Sequence, residues 1–297
     1  MSEPNPPPPP VTAEPVESRD PQRLQHLGDQ RSLIIRRSLL AAGLSGLIPL
    51  PVMDEYVASR VRAGLYIKLA SARNVDLPQA AADLLSDPQD PTMLRNATML
   101  AAALLAAKLA WRKVFTLMAA GRGAEDMATN FQFATLVDHY CARLHVGGAV
   151  TRPRAAQLHG LIHGSIKHTE KSTLVSAFRD GGKVLARSVL EAPRWMTERL
   201  NTYAQRWAAT GGRGAPFEPS TDLPPEDAQG TERWLDRAAR VVEGRLAAVG
   251  NDYLGGLVDR FEERWQKRSP EEKDAPVQMN RRWDWFKGQP PGDPEGR

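Results

Sequence analysis

Nowhere in this chain do Val, Ile and Thr alternate with polar residues, and that constrains the fold more than any motif does. A half-buried strand needs an apolar residue at every second position, whereas here they recur every third or fourth. Val57, Val61, Leu65 and Leu69 are spaced by four, and Arg60, Arg62, Lys68 and Arg73 supply a polar side. Ala, Leu and Arg are the commonest residues, all good helix formers, and Glu adds to them. The expectation is an all-α fold, an irregular helical bundle. Its helices are predicted near 22–46, 53–73, 77–86, 92–120, 124–146, 153–171, 173–191, 193–209 and 226–268.

Start and stop signals support these elements. Asp90-Pro91 precedes the 92–120 helix, Thr151 and Pro153 suit a cap and first turn, and Pro193 suits another first turn. Gly121-Arg-Gly123, Gly147-Gly148 and Gly181-Gly182 punctuate the rest. Residues 1–21 contain PNPPPPP and few large apolar side chains, which predicts a disordered Pro-rich arm. Residues 22–210 then form a helical core domain, 211–225 (GGRGAPFEPSTDLPP, with Pro225 its last residue) a linker, 226–268 a helical arm, and 269–297 a flexible tail. The arm's apolar stripe is interrupted by Gly255-Gly256, so it reads either as one kinked helix or as two.

Net charge is +4, but its distribution is uneven. Arg143 to Arg213 carries twelve basic residues against Glu170, Asp180, Glu191 and Glu198, and beyond Glu218 the balance turns acidic. A basic body favours an anionic partner: an acidic protein, a membrane surface or nucleic acid. Nucleic acid is the least expected, because no helix-turn-helix or RNA-binding signature is present. One cysteine, Cys141, rules out an internal disulfide and suits a reducing compartment. The N-terminus lacks the basic, apolar, small-residue order of an export signal, so a cytoplasmic location is expected.

Two apolar segments bear on membranes. Ala97 to Ala107 (ATMLAAALLAA) is apolar on every face, but it is shorter than the roughly 20 residues that a bilayer needs. It is predicted to be the central core helix. Ala41 to Leu50 is a glycine-spaced apolar run broken by Pro49 and Pro51, followed by Asp54 at a cap position and Glu55 in a first turn. Two readings are open: a hairpin packed in the core, or a shallow membrane-dipping hairpin. In the second, Leu47, Ile48 and Leu50 meet lipid while Arg60, Arg62 and Lys68 meet its headgroups.

The segment GLIPLPVMDEYVASRVRAGLYIKLASARNVDL resembles part of the helical families grouped under domain of unknown function 697 and the EcsC-like proteins. The shared order is an apolar turn at Gly46, Leu47, Ile48, Pro49 and Pro51, an acid at Asp54, a long helix, and an end at Asn74, Val75, Asp76 and Leu77. The resemblance implies an association with membranes or with GTPase partners.

Catalytic signatures are missing. The chain has no GxxxxGK[ST], no GxSxG and no GxGxxG after a strand, so no catalytic residue, cofactor or enzyme activity is expected. His159 and His163 are four apart, which places both on one helix face at a zinc-compatible spacing. His139 or Cys141 from the preceding helix would complete such a metal site. Near residue 200, Arg194, Arg199 and Trp207 suit a lipid or partner surface. In the tail, Arg281, Arg282, Trp283, Trp285 and Phe286 form an aromatic cluster suited to docking, since Trp and Arg dominate interface hot spots. The chain is therefore read as a non-catalytic helical adaptor, peripheral at the inner face of a membrane, with a partner such as a small GTPase. A soluble protein-interaction module is the alternative, and a metal-binding protein the lesser one.

Overall fold

The structure, a computed structural model, describes residues 24–45, 51–86, 122–167, 169–190, 225–249 and 252–268. Among these the protein is all-α, with no strand. In chain order the elements are α1 (His26–Asp29), α2 (Arg31–Ser45), α3 (Pro51–Ala72) and α4 (Gln79–Ser86). α5 (Arg122–His139) then runs into a π-helical turn, Tyr140–Leu144, and α6 (Arg152–Ile166), α7 (Ser172–Leu190), α8 (Pro225–Val249) and α9 (Asp252–Gln266) follow. The expected central helix at 92–120 lies outside the described residues.

The buried axis is α5, in which every residue from Phe131 to His139 is withdrawn from water. Its apolar members Phe131, Leu136 and Val137 meet α2, α3 and α7. Phe131 lies 5.6 Å from the Phe178 ring of α7, and Phe133 stacks on Tyr66 of α3 at 5.5 Å. Each such side chain contributes roughly 1.5–3 kcal/mol by leaving water. The four-residue spacing read in α3 gives it an inner stripe, with Val61, Leu65 and Leu69 buried.

Local chemistry fixes the joints. After α3 the chain turns through Asn74, whose φ of 57° is left-handed, a conformation that Asn tolerates better than most residues. Val75 and Leu77 are thereby buried, and the Val150 N–H donates to the Asp76 carbonyl at 2.8 Å, anchoring the chain before α6. Thr151 caps α6, its hydroxyl accepting from the Arg154 N–H, with Pro153 in the first turn.

The 226–268 segment is two helices. Gly255 and Gly256 lie inside α9, and the division falls between Val249 and Asp252. Both helices join the common core. α8 lays Leu235, Ala238, Ala239 and Val242 on α7 and α2, while α9 lays Leu254, Leu257, Val258 and Phe261 on α6 and α5. Arg36 of α2 also pairs with Asp236 of α8.

The α7–α8 contact is close because Gly181 has no side chain. A Cβ there would run into the Val242 side chain and stand 3.2 Å from the Ala238 carbonyl oxygen. Gly181→Ala is expected to cost about 1–3 kcal/mol and lower Tm by several degrees in thermal unfolding. Adding Val242→Ala is expected to cost less than the sum of the two single changes. Strict additivity would show that the two residues do not touch.

Candidate functional site

Asp138 and His139 sit side by side in the apolar run of α5, with their side chains 1% and 0% exposed. Polar groups this deep need partners. Arg73, just past the end of α3, meets Asp138 with a two-pronged fork: Nε donates to Oδ1 at 2.9 Å and Nη2 to Oδ2 at 3.0 Å. The same guanidinium donates from Nη2 to the His26 carbonyl at 2.8 Å and from Nη1 to Asp29 Oδ2 at 3.1 Å. One side chain thus ties α1, α3 and α5 together. The Asp138 hydrogen bonds raise the Arg73 pKa further and keep it charged.

His139 is bonded on both ring nitrogens. Nε2 lies 2.9 Å from Glu262 Oε1 of α9, and Nδ1 lies 3.1 Å from His26 Nε2 of α1. The proton positions follow from donor counting. With Glu262 as the acceptor and both rings neutral, the His139 proton is assigned to Nε2. Neutral His139 then accepts at Nδ1, and His26 donates from Nε2. His26 Nδ1 is left as a buried lone pair with no partner. The chain Glu262–His139–His26 is therefore directional, and it links α9, α5 and α1. Burial is the main force lowering the His26 pKa. Asp138 and Asp29 push it up, while Arg73 and Arg143 push it down.

The proposed metal ligands do not gather. Among the described residues no three His, Cys, Asp or Glu side chains are grouped to hold an ion. His139 is committed to Glu262 and His26, whereas His159 lies against Phe133 at 5.3 Å between ring centroids. Phe133 and His139 are six residues apart on one helix, and six steps of 100° separate their faces by about 120°. His159 and His163 stack on each other at 6.2 Å, as their spacing implied. Cys141 is buried, and burial, followed by the Asp138 charge, pushes its thiol up to about 12. A thiol held protonated is a weak ligand and a weak nucleophile.

Of the predicted surface cations, Arg60 is bound to Asp83, its Nη1 at 2.8 Å from Oδ1 and 3.0 Å from Oδ2. Arg62 is half-buried and Lys68 exposed. Leu47, Ile48, Leu50, Arg194, Arg199, Trp207 and the tail residues Arg281, Arg282, Trp283, Trp285 and Phe286 lie outside the described residues. A second cluster was not anticipated: the Arg268 guanidinium carbon sits 3.1 Å from the Trp265 ring centroid, with Arg154 at 5.5 Å and Tyr140 at 5.1 Å. Arg268 also donates to Gln157, so this stack pins the end of α9 to α6. The one signal for the Arg73–Asp138 and His139–Glu262 contacts was an adjacent acid and histidine within an apolar helical run.

Two outcomes are expected. Arg73→Met leaves Asp138 buried without its counter-charge and should cost about 3–5 kcal/mol in denaturant unfolding. Pairing it with Asp138→Leu should recover much of that loss, and no recovery would show that the two groups are uncoupled. His159 supplies the pH dependence. Burial, then the His163 and Arg62 charges, push its pKa from an ordinary 6.5 down to about 4. Its lowered folded value means that its share of stability is complete above 6.5, falls as pH drops from 6.5 to 4, and is then constant. Urea melts at pH 7 and pH 4.5 should show a loss on the order of 3 kcal/mol from this residue, removed in His159→Gln.

No family model, curated protein or solved structure matches this chain.

Proposed function

We propose that this protein is a non-catalytic helical adaptor whose basic surface engages an acidic protein partner. The observation that carries the reading is the outer stripe of α7, where Arg179, Lys183 and Arg187 recur every fourth residue and are all exposed. Arg152 and Lys167 of α6 and the chain just after it add to the exposed cations. Asp180 answers part of this charge, at 3.4 Å from Lys183 and 3.0 Å from Arg245. Long-range attraction of this kind raises association rates and selects acidic surfaces.

The apolar side of the described helices supports the same reading. It is turned inward, and Val146, 88% exposed, is the one large exposed hydrophobic among the described residues. No described helix is long and apolar enough to cross a membrane. The interior polar groups also serve structure: Arg73, Asp138, His139 and Glu262 join helices. A peripheral place on an anionic membrane is the second reading, favoured by the same α7 cations and resting for its lipid contact on Leu47, Ile48 and Leu50.

The test uses the full chain and its Arg179→Ala/Lys183→Ala/Arg187→Ala variant. All three side chains are exposed, so Tm should stay within a few degrees. Affinity capture with mass spectrometry should return an acidic protein for the parent and lose it for the variant. Capture that is indifferent to the three changes would sink the proposal. Flotation with phosphatidylserine vesicles at low salt, abolished by the triple change, would transfer the site to a membrane.

A further inference from the structure

We infer that the segment Leu24–Gln30, which contains α1, is a proton-released strap over the Asp138–His139 pair. It goes beyond the partner reading and stands on a separate part of the molecule. The strap is held by Leu27 and, in part, Leu24 on the core, by the Arg73 bonds to the His26 carbonyl and Asp29, and by the His26–His139 bond. α1 has only four residues and cannot hold itself as a helix in water. Its seat therefore depends on those contacts.

The geometry makes the seat sensitive to protons. In the docked state His26 Nδ1 is buried and unpartnered, and with both rings neutral it is a lone pair. Protonation would turn it into a buried N–H with nothing to donate to, which is costly. The charges around it come from every neighbouring element: Asp29 on α1, Arg73 after α3, Asp138 on α5, Arg143 in the π-helical turn, and Glu262 through His139. Asp29 and Asp138 favour an imidazolium, Arg73 and Arg143 oppose it, and desolvation decides for the neutral ring. Once the strap lifts, His26 regains water and its ordinary affinity for protons. Acid thus stabilises the lifted state. Lifting also bares His139 Nδ1 and Arg73 Nη1, and leaves Arg73 Nη2 with Asp138 alone.

By linkage, the docked-to-lifted ratio shifts by up to about tenfold per pH unit below the ordinary histidine value, and stops when the docked ring itself protonates. Amide hydrogen exchange on the full chain between pH 7.5 and pH 5, corrected for intrinsic exchange, reads this directly. Residues 24–30 should lose protection with that slope while α5 keeps its own. In His26→Gln, which cannot take a charge, the slope should vanish. A flat profile in the parent, or the same slope in the variant, overturns the inference. Should His26→Gln fail to fold, an NMR titration of the parent's His26 ring decides the matter. A midpoint below 6.5 supports the strap, and one at or above 6.5 overturns it.

Discussion

The bundle depends on a single guanidinium. Arg73 stands where α3 ends, and four of its hydrogen bonds reach α1 and α5. Lysine could not replace it, because an ammonium lacks the planar fork that meets both oxygens of Asp138 while a third contact runs to a backbone carbonyl. Burying Asp138 is unfavourable alone and tolerable only with this counter-charge. A polar network of this kind contributes less to net stability than to choosing one arrangement of helices over others, since an apolar core alone would accept several registers.

A second set of polar contacts closes the molecule from the C-terminal side. Glu262 bonds His139, Gln132 bonds Tyr253, Arg260 donates to Thr169 at 2.9 Å, and Arg268 stacks on Trp265. Each joins α9, or the chain just after it, to an element more than 90 residues earlier or locks α9's own end. The apolar stripe of α9 gives affinity for the bundle, and these bonds give it a fixed rotation and depth. Arg73, Asp138, His139, His26 and Glu262 thus bond to one another across four elements, and each of these contacts joins helices.

Much of the helical plan was legible in the sequence because it rests on local rules. The spacing of Val61, Leu65 and Leu69, the Thr151 cap with Pro153, and the glycines after the π-helical turn all act within a few residues. The division of the last arm was not legible: Gly255-Gly256 looked like the breaker, yet both glycines sit within α9, where packing overrides their low propensity. The site was harder still. His139 stands out in the sequence only as one member, with Cys141, His159 and His163, of the lesser, metal-binding alternative, because a sequence does not display which element packs on each face of α5. Asp138 had no visible partner, since Arg73 is 65 residues away and Glu262 lies 123 residues from His139. Contacts at such separations leave no periodic trace, and only the oddity of an Asp-His pair inside FATLVDHYC hinted at them.

The position of α9 has a consequence for biosynthesis. The residues of α5 and α6 against which α9 packs are all synthesised well before the ribosome reaches residue 261. At roughly 5–20 residues per second, on the order of ten seconds of translation separate the emergence of His139 from that of its carboxylate partner. Throughout that interval α9 is not there to cover its share of α5 and α6, and His139 Nε2 is without its carboxylate partner.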